Sequence, residues 1–423
     1  MGKPCVAGAS AIRINASEGT LTIGDRVFGE GDVITLDGST GQVYGEALEL
    51  VPPQINEDFE AILGWSDEVR RLGVRANADT GEDAAKAREL GAAGIGLCRT
   101  EHMFMAADRL PAVREMILAD DEDSRAQALE KILPMQQEDF EGIFEAMAGL
   151  PVTVRLLDPP LHEFLPDIIE QSLLVQRLEQ ENADATEQAE AKETLAQIRR
   201  LREQNPMLGT RGCRLGMLYP EIPEVQTRAI IRAALAVREK HQETAHVEIM
   251  IPLVALSQEL ETQRGIVERT AQEELAKAGQ ELDYSIGTMI ELPRAALLAD
   301  QIAAHADFFS FGTNDLTQTT IGISRDDAEN GFLTTYLTDH VLENNPFETI
   351  DVEGVGQLVQ TGVERGRSTK SDLSTGVCGE HGGDPASVAF FDSIGLDYVS
   401  CSPFRVPIAR FAAAKAVLEA AAK

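Results

Sequence analysis

From Gly73 onward, short apolar segments alternate with helix-forming stretches. No other feature restricts the fold of this chain as much. The segments are GVRANAD (73–79), GIGLCRTE (94–101), VTVRLLD (152–158), MLGTRG (207–212), VEIMIPLV (247–254), SIGTMIEL (285–292), FFSFGTND (308–315), STGVCGEH (374–381) and DYVSCSP (397–403). Stretches such as GEDAAKARELG (81–91), PRAALLADQIAAH (293–305) and PASVAFFDSIG (385–395) separate them. Strands alternating with helices pair in parallel, because a parallel partner needs a crossover long enough to hold a helix. Nine candidates over residues 73–423 predict an α/β chain with a (β/α)8 TIM-type barrel, one candidate, MLGTRG or DYVSCSP, being surplus. An open doubly wound sheet is the other arrangement this alternation permits.

Residues 1–53 read differently. The run GDRVFGEGDVITLDGSTGQVYGEAL alternates apolar and polar residues around Gly-Asp and Asp-Gly turns, which are hairpin signals. The opening MGKPCVAGAS has the look of a turn feeding a strand inside a domain. A small Gly-rich β/α domain is expected up to Pro52-Pro53, with a linker helix over 54–72. Residues 167–204 are charged, free of glycine and helix-forming, with Leu173, Leu174, Leu178, Leu195, Ile198 and Leu201 in partial helical spacing. They predict a helical insertion on the rim of the barrel.

Composition narrows the classes of function. No apolar run approaches the ~20 residues that span a bilayer. No basic and apolar leader follows Met1, so a cytoplasmic protein is expected. The five cysteines, Cys5, Cys98, Cys213, Cys378 and Cys401, form no C-x-x-C pair, which speaks against a disulfide framework or a zinc site. Seventy acids face 37 bases, of which 9 are Lys, for a net charge of −33. Such a chain has no electrostatic footprint for nucleic acid.

In a βα barrel, working residues sit at the C-terminal ends of strands. There this sequence places Arg99, Arg155, Arg211, Glu291, Asn314, Asp315 and Cys378. Arginine offers planar, bidentate donors for carboxylate and phosphate. Two carboxylates on adjacent strands suit Mg²⁺, which binds through one or two carboxylates with water and substrate oxygens. A thiol adds a proton donor. Together they describe a site for a small phosphorylated carboxylic acid. Each residue also fits a structural role: Arg in an ion pair, Glu291 near a helix N-terminus, Asp315 as a helix cap, Cys378 as a small buried hydrophobe. His102, His162 and His381 read as structural. No Walker A pattern occurs, so no nucleotide site is claimed.

GLCRTEHMF (96–104), RLLDPPLHEFLP (155–166), NPMLGTRGCRLG (205–216), IGTMIELPRAAL (286–297), FFSFGTNDLTQ (308–318) and GVCGEHGGDP (376–385) closely resemble the C-terminal half of the pyruvate, phosphate dikinase family, one of the phosphoenolpyruvate (PEP)-utilising enzymes. PEP synthase and the phosphotransferase-system enzyme I share the FGTND core. LLDPPLHEF, RGCRLG and GEHGGDP favour the dikinase. The resemblance implies a barrel that interconverts PEP and pyruvate. It implies that Arg99, Arg155 and Arg211 grip phosphate and carboxylate, and that Glu291 and Asp315 hold Mg²⁺. Gly312, Thr313 and Asn314 would line the substrate, with Glu291 and Asp315 beside it. Cys378 would protonate the enolate, and Arg325 matches a family position of less defined role. Thr210 departs from the family, which usually has His there.

The resemblance also implies a truncated chain. The ATP-grasp domain is not matched, nor is the carrier histidine of the swivelling domain, of which residues 1–53 would be the remnant. The phosphohistidine would then come from another chain or be lost, and the family suggests a homodimer. A non-catalytic PEP-binding module is the alternative reading, and a Mg²⁺-dependent aldolase or lyase is a third. The charge balance raises the separate expectation of adaptation to a salty cytoplasm. Molar salt screens self-repulsion, so the melting temperature is expected to rise by several degrees in molar KCl. A melting temperature flat in KCl removes the salt-adaptation reading.

Overall fold

A computed structural model describes residues 5–6, 9, 11–38, 40–50, 56–106, 108–119 and 121–422. The strand expected in MGKPCVAGAS lies largely outside them. The chain divides into two compact units, Met1–Ala61 and Ile62–Lys423.

In the first unit, β1 (Ile12–Asn15), β2 (Thr20–Ile23) and β3 (Arg26–Phe28) form an antiparallel sheet in that order. β4 (Thr35–Asp37) pairs with β5 (Gln42–Tyr44). Gly24 at φ +57° makes the turn between β2 and β3, a conformation that costs glycine least. The strands are only half-buried or exposed. A helix over Glu57–Val69 follows, with Asn56 Oδ1 accepting from Phe59 N at 2.9 Å as its cap.

The second unit contains a closed barrel of eight parallel strands in chain order. They are β6 (Gly73–Asn77), β7 (Ile95–Arg99), β8 (Pro151–Arg155), β9 (His246–Ile251), β10 (Tyr284–Ile290), β11 (Phe308–Phe311), β12 (Ser374–Val377) and β13 (Tyr398–Cys401). β13 pairs with β6 and closes the ring. The α/β class and the TIM-type barrel are thus as the alternation predicts. The surplus candidate is MLGTRG. Pro206 opens a 3-10 turn over Pro206–Leu208, and the chain runs on as a loop to the helix Cys213–Leu218. Gly212, at φ +56°, turns that loop against β9's exit, where a Cβ would lie 2.7 Å from Leu253 Cβ. A strand has no such turn.

Alternation of side chains along the strands separates two cores. One face, with Val74, Ala76, Val152, Val154, Val247, Ile249, Phe309 and Phe311, packs into the main apolar cluster. The other closes a small separate cluster of Leu97, Met250, Met289, Phe308 and Cys378. Two residues before Met250 and Arg155, the interior turns polar. Glu248 Oε2 accepts from Arg75 Nη1 and Thr153 Oγ1, both at 2.6 Å, and the Arg75 guanidinium stacks 3.9 Å over the Tyr398 ring. These groups come from β6, β8, β9 and β13, so the pair ties the barrel across its interior.

The helical insertion is present as Ile168–Gln180 and Ala185–Leu201. Asp167 caps the first by accepting from Ile169 N and Glu170 N, and Asp184 caps the second by accepting from Thr186 N. Leu178, Leu195 and Ile198 are buried between and beneath them, whereas Leu173 is exposed. Arg75 and Glu248 are mostly shielded from water, so removing one partner leaves the other charge unpaired in the barrel interior. Glu248→Ala is therefore expected to lower the stability of the barrel by about 3 kcal/mol in denaturant titrations. A loss below about 1 kcal/mol would rank the Arg75 pair with surface ion pairs instead.

Candidate active site

A cavity of about 620 Å³ opens where the strands end, and nearly all the residues singled out above line it. Arg99 and Arg155 are the last residues of β7 and β8. Glu291 stands one residue beyond β10, and Cys378 one beyond β12. Gly312 follows β11, and Asn314 and Asp315 lie in the first turn of the helix Thr313–Ile321. Arg211 comes from the loop over the surplus strand candidate MLGTRG, yet its guanidinium reaches the same cavity.

The arginines are held by carboxylates. Asp158 Oδ2 accepts from Arg211 Nη2 at 2.6 Å and forms an ion pair with Arg155 Nη1 at 3.0 Å, and Arg211 Nη2 also lies 3.1 Å from Asp315 Oδ2. Glu101 Oε1 accepts from Arg155 Nη2. Asp79 accepts from Arg99 N at 2.7 Å and from Arg99 Nη2 at 2.8 Å, and meets His102 Nδ1 at 2.7 Å. Burial alone would raise the Asp158 carboxyl, but Arg155 and Arg211 outweigh it and hold it below the usual carboxylate range. Asp79 behaves alike: burial raises it, and His102 and Arg99 bring it below its ordinary value.

Glu291 is different. It is 1% exposed, and its Oε1 accepts from Leu253 N at 2.6 Å. That donor belongs to a leucine at φ +60°, a left-handed backbone that costs about 1–2 kcal/mol outside glycine. Strain is thus stored where it aims an N–H at this carboxylate. Burial, then the nearby Asp158 and Asp315, push the Glu291 carboxyl well above the usual range. Crowded carboxylates facing a polar cavity are a fit for a hard divalent cation. Among the described residues no group of three or more His, Cys, Asp or Glu is arranged to hold a metal alone. Glu291 and Asp315 would therefore need substrate oxygens or water to complete a site.

Cys378 is 3% exposed and faces the cavity from the interior cluster. Burial pushes its thiol up to about 11, so it keeps its proton at neutral pH. The other buried thiols Cys98, Cys213 and Cys401 line no part of this cavity.

Thr313 does not line the cavity. It is fully buried, and its Oγ1 lies 2.7 Å from His381 Nδ1. His381 Nε2 is 2.9 Å from the Pro346 carbonyl. Since Nε2 must donate to that carbonyl, Nδ1 accepts from the Thr313 hydroxyl. The ring thereby locks the β12 loop to the β11 loop. Thr210 uses its backbone N–H on Glu203 Oε1 at 2.6 Å. Arg325 stacks 5.6 Å from Phe347 and pairs with Glu329, beside the cavity-lining Asp326. The residues that sequence reasoning missed are the carboxylates that hold the arginines: Asp79, Glu101 and Asp158. Their signal was present, as Asp79 and Asp158 end strand segments and Glu101 follows Arg99 by two residues.

Burial lowers the His381 pKa below its ordinary 6.5. The unfolded chain therefore binds this proton more readily, and stability falls as pH drops. The contribution is whole above pH 6.5 and erodes below it, toward the folded value, by up to about 1.4 kcal/mol per pH unit. Between pH 7.5 and 5.5 the wild type is expected to lose more melting temperature than His381→Gln. Equal losses would remove the buried neutral imidazole as the cause.

The PEP-binding domain family of the PEP-utilising enzymes matches residues 54–418. A chloroplastic pyruvate, phosphate dikinase of Flaveria pringlei is 55% identical over 418 residues, covering 99% of this chain and 43% of its own length. The pyruvate, phosphate dikinase of Rhizobium meliloti (strain 1021) is 55% identical over 421 residues, covering 99% of this chain and 46% of its own. The chain thus spans less than half the length of these relatives. A solved citrate lyase structure from Burkholderia xenovorans LB400 matches 47% of the chain and 59% of its own at 17% identity and a TM-score of 0.31. By the family match over residues 54–418, the chain belongs to the PEP-utilising enzymes.

Proposed function

We propose that the barrel carries out the PEP/pyruvate half-reaction of a pyruvate, phosphate dikinase. The bond between phosphorus and the C2 oxygen of PEP breaks, and the phosphoryl group passes to a histidine supplied from elsewhere. The enolate left behind takes a proton at C3 from the Cys378 thiol and becomes pyruvate. The reverse sequence forms PEP from phosphohistidine and pyruvate. One observation carries this reading: a buried thiol that keeps its proton faces the same cavity as three arginines held by carboxylates.

Arg99, Arg155 and Arg211 grip the phosphoryl and carboxylate groups, as bidentate donors suit both. Their tethers fix them before substrate arrives, so little reorganisation accompanies the charge shift. Gly312 and Asn314 line the substrate, with Thr313 beneath them holding the loop through His381. Mg²⁺ bound by Glu291 and Asp315 would neutralise charge on the enolate and phosphoryl oxygens. Among the described residues no helix is long and apolar enough to cross a membrane. On this reading the chain works in the cytoplasm, as a homodimer, with a phosphohistidine domain as its partner.

Enolisation alone tests the proposal without the histidine partner. With Mg²⁺ in D₂O, the wild type is expected to exchange the methyl protons of pyruvate. Cys378→Ala is expected to slow exchange by about 10²-fold or more while still binding pyruvate. A wild type that binds pyruvate but exchanges nothing overturns the catalytic reading in favour of a PEP-binding module.

A further inference from the structure

The carboxylate of Asp79, nine-tenths buried, is committed to two cavity residues at once. It accepts from Arg99 N and the Arg99 guanidinium, and it meets His102 Nδ1 at 2.7 Å. His102 does not behave as a structural histidine. His381 is a contrast within the same chain: its ring is fully buried and both nitrogens have partners. The ring of His102 is half-exposed and lines the cavity, and only its Nδ1 is engaged. Its Nε2 has no partner among the described residues. Arg99 is in the same condition, with Nε and Nη2 on Asp79 and Nη1 uncommitted. One buried carboxylate therefore holds two cavity-lining side chains, each with a donor unspent among the described residues.

We propose that Arg99 and His102 form a single anion clamp, fixed by Asp79, in which His102 Nε2 hydrogen-bonds an oxygen of the substrate's phosphoryl group. This rests on the PEP reading above and adds a contact to it. In the complex both ring nitrogens carry hydrogen, Nδ1 donating to Asp79 and Nε2 to the phosphoryl oxygen. The positive ring is balanced by a carboxylate on one side and phosphoryl oxygens on the other, an arrangement of charge-assisted bonds. His102 transfers neither a proton nor a phosphoryl group. Its part is discrimination: PEP meets it, and pyruvate, which has no phosphoryl group, does not.

Calorimetric titration of the full chain in MgCl₂ with PEP and with oxalate, a dicarboxylate without phosphorus, tests this. His102→Asn keeps an amide at the Nδ1 position to donate to Asp79 but has nothing at Nε2. His102→Gln keeps an amide near Nε2. The Asn variant is expected to bind PEP about 10-fold more weakly, the value of one charge-assisted hydrogen bond, and oxalate within about twofold of wild type. The Gln variant is expected to recover part of the PEP affinity. Equal weakening of both ligands in the Asn variant, or unchanged PEP affinity in both variants, overturns the clamp while leaving the PEP reading intact. A wild type that binds neither ligand overturns the PEP reading and the clamp with it. If the Asn variant does not fold, the Gln variant decides alone: weakening of oxalate as much as PEP overturns the clamp.

Discussion

Asp158 is the group on which the site's geometry depends. It is buried, and it bridges Arg155 on a strand end to Arg211 on a loop that no strand supports. Two guanidinium groups facing one cavity repel each other, and an unbridged pair would turn toward water. A buried carboxylate between them reverses the balance, because each arginine gains more from it than from its neighbour it loses. Gly212 N donates to the Asp158 carbonyl at 2.8 Å, so the same residue anchors the loop by its backbone as well. The loop is thereby fastened at the mouth without being a strand.

The barrel makes this arrangement affordable by separating its two faces. Apolar strand residues that face the helices build the main core, whereas those facing inward close a much smaller plug. Stability thus resides chiefly between strands and helices, where burial of apolar surface dominates. The interior is left free to hold groups that would weaken an ordinary core: the Arg75–Glu248 pair at one level, the arginines and carboxylates at another. Cys378 lies between those chemistries. It is lined by Leu97, Met250, Met289 and Phe308 but reaches the polar cavity. That position gives it the desolvation that keeps a thiol protonated.

The alternation of segments made the barrel legible, since each strand carries an apolar face toward the helices and each is followed by helix-forming sequence. MLGTRG stands among the nine strand candidates because its composition fits a strand, and composition alone does not separate it from DYVSCSP as the surplus one. Its geometry depends on Gly212 packing against Leu253, a contact 41 residues away that no local pattern reports. The arginines were legible for the same reason as the strands, by position at segment ends. Their partners stand at or near segment ends as well, but nothing local says what they meet. An Asp at the end of GVRANAD looks like any turn residue until the fold brings it against Arg99 and His102. Thr313 misled in the opposite sense. It sits within FGTND beside cavity residues, yet the helix that begins there turns its side chain inward to His381.

The acidity of the chain and the cationic wall of its cavity are connected. With a net charge of −33, the protein's field repels an approaching anion at long range. Salt screens that repulsion over about 8–10 Å at physiological ionic strength. Inside the cavity screening is weak, so the local arginines decide. Were they free, the surplus of surface acids would draw them outward as ion-pair partners, and an incoming anion would have to compete for them. Asp79, Glu101 and Asp158 remove that competition by committing one edge of each guanidinium to a buried partner. The uncommitted Arg99 Nη1 is kept on the cavity wall, where an anion can reach it without displacing a surface carboxylate. In a protein this acidic, buried carboxylates are what keep the arginines available.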